Sequence, residues 1–330
     1  MATTVGEPAV APAPSLRDRT PARPPARKRG AGPTRRREAG AGYVFLTPWL
    51  IGFMAITAVP MLYSLYLSFT NWDLISNAGQ YVGFRNYVRM FTIDPAFWRS
   101  VRITVTYAVV ATPFKLCVAL GIALLLVRQR RGTGAARALF YLPSLLGGSV
   151  ALALVWQALF SRKGAVNNAL GLIGIEGKPW VNDPKYVLYT IVLLSVWQFG
   201  APMVIFLAGL KQIPVELYEA AAVDGASRWR QFLHITLPSL SPVIFFNLVL
   251  ETIHSFQIFT SAFVIGGGQG GPVDATKVYT LMLYLEGFGE SHIGYASALA
   301  WVFLMAVGLL TFVFFRTGRF WVHYADNEER

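Results

Sequence analysis

Residues 211–238 read KQIPVELYEAAAVDGASRWRQFLHITLP. Pro214 suits the start of a helix, and Glu216 and Glu219 fall in its early turns, where carboxylates oppose the positive end of the helix dipole. Ala220–Ala222 favour the helical state. Gly225 can take the left-handed conformation that closes a helix. Ser227 can then cap a second short helix through Phe232, and Pro238 suits the start of the next long helix. The product is a helix–glycine–helix element whose small alanines would allow a close approach by another backbone. An amphipathic connector with no partner is the plainer reading of the same residues. The setting separates this stretch from an ordinary loop, because on both sides of it the chain loses almost all charge.

Upstream, residues 186–210 carry no Asp, Glu, Lys or Arg; downstream, residues 237–265 carry only Glu251, with His254 nearby. The same pattern recurs over 43–69, 138–161 and 291–315, and over 103–127, where Lys115 is the one interruption. Each run exceeds the roughly 20 apolar residues that a bilayer core requires. Composition agrees: 54% of the 330 residues are hydrophobic and only 14% are charged, against about a quarter in soluble domains. The expected class is an all-α integral membrane protein with six transmembrane helices. A single cysteine, Cys117, excludes an internal disulfide and a cysteine-based metal cluster.

The net charge of +12 reports on orientation. Residues 1–41 hold nine Lys and Arg against three acids, a Pro- and Ala-rich basic tail expected to be disordered and to sit near anionic headgroups rather than nucleic acid. With the amino terminus inside, the alternate loops place nineteen Lys and Arg on the cytoplasmic side and nine outside. Both termini are therefore expected to be cytoplasmic. The first apolar run lies too far from the start, and is too long, for a cleaved signal. The organisation expected is a tail over 1–41, a first span and outer loop over 42–99, a core of five spans over 100–318 containing the loop 211–238, and a cytoplasmic tail over 319–330. Arg85–Phe91 is a candidate interfacial helix, and Gly266–Pro272 a turn-rich loop.

The spacing Glu219-Ala220-Ala221, Gly225, Ile235, Leu237-Pro238 resembles the "EAA" loop of permease subunits of bacterial ABC importers. Asp224-Gly225-Ala226 followed by Ile235-Thr-Leu-Pro238 is similar to the carbohydrate branch, which includes maltose and glycerol-phosphate type permeases. The resemblance extends through Tyr81-Val-Gly-Phe-Arg-Asn-Tyr87, Leu139-Phe-Tyr-Leu-Pro143, Phe206-Leu-Ala-Gly-Leu210, Ser255-Phe-Gln-Ile-Phe259 and Gly294-Tyr-Ala-Ser-Ala298. It covers about residues 43–316 and leaves the tail outside.

What the resemblance implies is the type I ABC importer permease fold in the bacterial inner (plasma) membrane, with a coupling helix seated on a cytoplasmic ATPase. Glu219 and Gly225 match the family's contact glutamate and turn glycine, Ala220 and Ala221 complete the motif, and Asp224, Arg228 and Arg230 are expected at the rim. The implied partners are cytoplasmic ABC ATPase subunits, a second, different permease forming a heterodimer (a homodimer being the alternative), an extracytoplasmic solute-binding protein and a sugar. A polyol phosphate such as glycerol phosphate is the second substrate class. The chain carries no phosphate-binding loop: Gly177-Lys178 has Leu172 and Pro179 where glycine and Ser or Thr are required. No cofactor and no catalytic residue are expected here; ATP and magnesium belong to the partner.

Ionisable groups inside a span normally face a cavity or a protein neighbour. Asn247, Glu251, His254, Ser255 and Ile258 follow helical spacing, so one face of the fifth span is polar. Asn247, Glu251, Ser255 and Gln257, with Trp197 and Gln198 of the fourth span and Trp156 and Gln157 of the third, are the candidate substrate pathway. Interhelical hydrogen bonding, with Glu251 protonated or paired to Lys115, accounts for the same residues. His254 and His292 lack the neighbours of a metal site. A proton-coupled carrier and a non-transporting scaffold are the alternatives. The first would show internal repeats and broken midplane helices, and unbroken spans are expected here.

Overall fold

The computed structural model describes residues 44–128 and 132–322. The basic tail, Arg130, Arg131 and the last eight residues lie outside the described residues, and with them most of the two terminal segments expected above. The helices are α1 (Val44–Leu67), α2 (Pro95–Leu126), α3 (Thr133–Leu145), α4 (Val150–Leu159), α5 (Ala165–Leu172), α6 (Val187–Trp197), α7 (Gly200–Leu210), α8 (Val215–Val223), α9 (Ser241–Phe256), α10 (Thr260–Ile265), α11 (Tyr279–Tyr284) and α12 (Ile293–Gly318). Among the described residues there is no strand, only two isolated bridges, Thr70 with Tyr81 and Asp73 with Ala78.

The chain divides into two compact units, residues 1–60 and 61–330. Within the first, the described part of α1 holds a π-helical turn at Met54–Ala58 and a stacked pair, Trp49 and Phe53, 5.4 Å apart. In the second, α2 is the central helix. It packs against α6, α7, α9 and α11. Its sequence explains this: Thr104, Ala108, Ala111, Thr112, Ala119 and Ala123 are all buried and recur about every four or seven residues. Such a stripe of small side chains lets helix backbones approach closely, which is the main attraction available where lipid is as apolar as the protein. The opposite is true of α12, whose Met305, Leu309, Phe312 and Phe315 are exposed, as a lipid-facing surface requires.

The apolar runs over 138–161 and 186–210 are not single rods, which corrects the expectation of unbroken spans. α3 and α4 meet at 99°, and α6 and α7 at 43°. The first break occupies 146–149, where Gly148 has φ of +74° and Ser149 is extended and caps α4 by accepting from the Leu152 N–H. The second occupies Gln198 and Phe199. A third, gentler interruption at Gln257–Phe259 separates α9 from α10 within the span Ser241–Ile265. Four helices are long and apolar enough to cross a bilayer alone, and six spans result when each bent pair is one crossing.

The segment after α1 is held by side chains of the 81–87 motif. Asn86 Nδ2 donates to the carbonyls of Ser68 and Thr70, each at 2.8 Å, and the Tyr87 hydroxyl pairs with Ser68 Oγ at 2.8 Å. Asp73 accepts from the Ser76 N–H and hydroxyl and from the Ile75 N–H, which holds its carboxyl below its ordinary value. The segment is stitched to the start of α12 by Leu74 N–H to Ser291 O and Gly294 N–H to Trp72 O. Arg85–Val88 and the turn to Ile93 form the short helix expected near Arg85. The α2 C-terminus is capped by Arg137, which donates to Leu126 O at 2.9 Å.

Gly294 tests this packing. A Cβ there would fall 2.1 Å from Thr70 O, a backbone atom that cannot step aside. Gly294→Ala is expected to destabilise the detergent-solubilised protein by about 1–3 kcal/mol, the usual cost of overpacking, whereas Gly308→Ala, where nothing lies within 4 Å of the added carbon, is expected to leave the thermal midpoint unchanged.

Candidate functional site

The breaks in the helices converge on one cavity of about 480 Å³. Gly147, Gly148 and Ser149 line it from the first break, Gln198 from the second, and Gln257–Phe259 from the third; α2 contributes Tyr107 and Lys115, and α9 contributes Glu251, His254 and Ser255. Backbone groups freed by a helix break inside a membrane need partners. Ser144 supplies them at the α6–α7 break: its Oγ donates to Gln198 O and accepts from the Ala201 N–H, both at 3.1 Å. The contact needs Gly200, where a Cβ would lie 2.6 Å from Ser144 Oγ and 2.7 Å from Phe140 O. Gly147 is likewise fixed, because a side chain there would meet Gln198 Oε1 at 2.9 Å.

The cavity wall carries two opposite charges in contact. Lys115 Nζ lies 2.7 Å from Glu251 Oε2, with side-chain exposures of 12% and 9%. About one helical turn away Thr112 Oγ1 and Ser255 Oγ share a hydrogen bond of 2.9 Å. These two links join α2 to α9 on the cavity side. A lone charge in this setting would be expensive; the pair is tolerable because each group neutralises the other and both reach a polar cavity.

The second candidate element is the connector between α7 and α9. Pro214 precedes α8, whose first turn holds Glu216. Gly225, at φ of +75°, donates to Ala222 O and the Ala226 N–H reaches Ala221 O, so the helix closes in a Schellman turn. Ser227 caps Arg228–Gln231, accepting from the Arg230 N–H, and a π-helical turn over Phe232–Thr236 leads into α9. Glu219, Ala220, Asp224, Gly225, Arg228 and Arg230 are exposed and Ala221 is half-buried. Large apolar groups stand among them: Val223 is 89% exposed and Trp229, stacked on Phe232 at 5.5 Å, is 68% exposed. The element is not loose, since Tyr218 Oη and Thr236 Oγ1 meet at 2.8 Å and tie α8 to the entry of α9.

Residues 118–319 match the family model described as "Binding-protein-dependent transport system inner membrane component". The chain belongs to this family. It is 48% identical to the probable ABC transporter permease protein YesP of Bacillus subtilis (strain 168), over 89% of this chain and 95% of that protein. It is 32% identical to the lactose transport system permease protein LacF of Rhizobium radiobacter, over 84% of this chain and 94% of LacF. Its fold matches a chain of the crystal structure of a bacterial alginate ABC transporter in complex with an alginate pentasaccharide-bound periplasmic protein, with a TM-score of 0.77 at 23% identity, covering 88% of this chain and 98% of that one. The chain is thus a membrane-spanning ABC transporter permease, which is not an enzyme.

In the permease, four of the eight residues expected along the substrate pathway meet at the cavity: Glu251, Ser255, Gln257 and Gln198. Asn247, Trp197, Trp156 and Gln157 do not line it. Asn247 is 1% exposed within the helix packing, and its Nδ2 is without a hydrogen-bond partner among the described residues. Trp197 lies against Trp156 at 5.8 Å, and Trp156 Nε1 is spent on Thr190 O. The residues that sequence reasoning missed are Tyr107, Ser144, Ser149 and Ser195 and the two glycines of the α3–α4 break. The Gly147-Gly148-Ser149 triplet in the middle of an apolar run was the available signal, since two glycines there weaken a helix that lipid otherwise enforces.

The ion pair makes an asymmetric prediction. Glu251→Leu or Lys115→Met leaves one charge unpaired and is expected to destabilise the permease by about 3–5 kcal/mol, while the double variant Lys115→Met with Glu251→Leu recovers most of the loss. Unfolding in mixed micelles measures both; additive losses in the double variant would show that the two charges do not support each other.

Proposed function

We propose that the permease is one membrane subunit of an ATP-driven carbohydrate importer of the bacterial inner membrane, with both termini cytoplasmic. The observation that carries this reading is mechanical continuity. α8 is exposed where a partner would grip it, Tyr218 fastens it to Thr236 at the entry of α9, and α9 holds Glu251 and Ser255 in the cavity wall. A push on α8 is delivered to the cavity without passing through a flexible loop. In the proposal, ATPase subunits that bind ATP and magnesium supply that push, Glu219 and Gly225 take it up with Ala220 and Ala221, and Asp224, Arg228 and Arg230 contact the partner at the rim. A second permease completes the pathway, a solute-binding protein delivers the substrate from outside, and the cavity alternates between two openings.

Carbohydrate is favoured by the chemistry of the lining. Gln198, Gln257, Ser149 and Ser195 offer donors and acceptors that suit hydroxyl groups, and Glu251 can accept from them. Lys115 is already committed to Glu251, so a polyol phosphate would meet no lysine free to balance its charge. The names of LacF and of the alginate transporter point the same way. Asn247 and Trp197 are assigned to the helix packing behind the cavity and not to contact with the substrate. The core over 100–318 is proposed as the transporting part.

Two substitutions separate coupling from folding. Glu219→Lys reverses an exposed charge, and Gly225→Pro cannot take the positive φ that the turn requires. Both are expected to abolish co-purification of a cytoplasmic ATPase and to cut ATP-dependent sugar uptake in proteoliposomes at least tenfold. Normal uptake by either variant with no ATPase present would contradict the proposal.

A further inference from the structure

A second cavity, of about 560 Å³, lies along the same pair of helices as the first. α4 contributes Leu152 and Ala153 to the first cavity and Leu154 and Gln157 to the second; α10 contributes Thr260 and Ser261 to the first and Ile265 to the second. α4 and α10 pack on each other, and each contributes residues to both cavities. From Ser149 in the first to Gln157 in the second is about 12 Å along α4, at 1.5 Å per residue. The two cavities are therefore neighbours along α4 and α10.

The lining of the second cavity is of one chemical kind. No charged side chain takes part. Gln157 and Asn182 face it, and among the described residues neither spends its side-chain amide on a hydrogen bond within the chain. Together they offer four N–H donors and two carbonyl acceptors. The rest of the wall includes Gly266, Gly267 and Gly271, which present no side chain and whose N–H groups are spent on Ala262 O, Val264 O and Gly266 O. That bareness is built in. A Cβ on Gly266 would fall 2.1 Å from Thr276 Oγ1, one on Gly271 would fall 2.9 Å from the same atom, and Gly267 has φ of +64°. Leu154, Val181 and Ile265 supply apolar contact. Two uncommitted amides, with apolar patches and no charge, match the hydroxyls and the C–H faces of a sugar ring.

We propose that this cavity is a second carbohydrate subsite, which holds the substrate's hydroxyls through Gln157 and Asn182 before the sugar reaches the Lys115–Glu251 cavity. The inference rests on the reading of the chain as a carbohydrate permease and adds to it an entry station outside the first cavity.

The test uses the assembled transporter in proteoliposomes, with lactose, maltose and an alginate pentasaccharide as probes. The Gln157→Ala, Asn182→Ala double variant is expected to take up the transported probe about tenfold or more slowly, because two hydrogen bonds are lost, with ATPase binding and thermal midpoint unchanged. A second measurement is independent of the variant's folding: with Cys117→Ala, the introduced thiol of Asn182→Cys is labelled by a membrane-impermeant maleimide, and saturating transported sugar is expected to slow that labelling at least threefold. Wild-type uptake by the double variant, or labelling indifferent to sugar in a complex that still transports it, overturns the subsite. Failure of the unaltered complex to take up any of the three overturns the underlying carbohydrate reading instead.

Discussion

A membrane interior offers no water to a peptide group released from a helix, and this constraint organises the permease more than any single contact. The chain breaks its helices at 146–149, at Gln198–Phe199 and at Gln257–Phe259, and each break is placed where something else answers for the lost hydrogen bonds. Ser144 serves Gln198 and Ala201, Ser149 caps α4, and a polar cavity receives the rest. The same cavity makes an ion pair affordable in an apolar layer. Broken backbone, buried charge and open space are thus one arrangement seen from three sides.

Against that background the division of labour among residues follows from size and charge. Small side chains on α2 bring α6, α7 and α9 close; Lys115 and Thr112 then fix α9 at two points. α9 continues from the connector without a slack segment, since α8 closes on Gly225 and is bonded back through Tyr218. Exposed apolar groups at Val223 and Trp229 stand on the connector where the proposed partner would cover them.

The spans and the connector were legible in the sequence because their signals are local. Charge-free runs of sufficient length can only be membrane helices, and Pro214, Ala220–Ala222, Gly225 and Ser227 each act through their own backbone preference. The Lys115–Glu251 pair was foreseen as one of two possibilities, because two lone ionisable groups in apolar runs have few other partners. The breaks were not read, since hydropathy measures how apolar a run is and is blind to its direction. That omission had a consequence for the polar stripe. A helical wheel carried through residue 258 assigns Gln257 off the face, yet the helix ends there and Gln257 turns into the cavity, while Asn247, on the predicted face, lies within the helix packing. Ser144 was invisible for another reason: its role depends on a break 54 residues away.

The central claim is that the cavity around Lys115 and Glu251 is the alternating pathway, moved by the connector. Its most direct measurement is the sidedness of a single thiol in that cavity. With Cys117→Ala as background, Gln257→Cys in the assembled transporter would be labelled by a membrane-impermeant maleimide applied to one side of sealed vesicles at a time, with and without trapped ATP. The account predicts labelling from one side in the resting state and from the opposite side once ATP is trapped. Labelling from the same side in both states, or from neither, would contradict it.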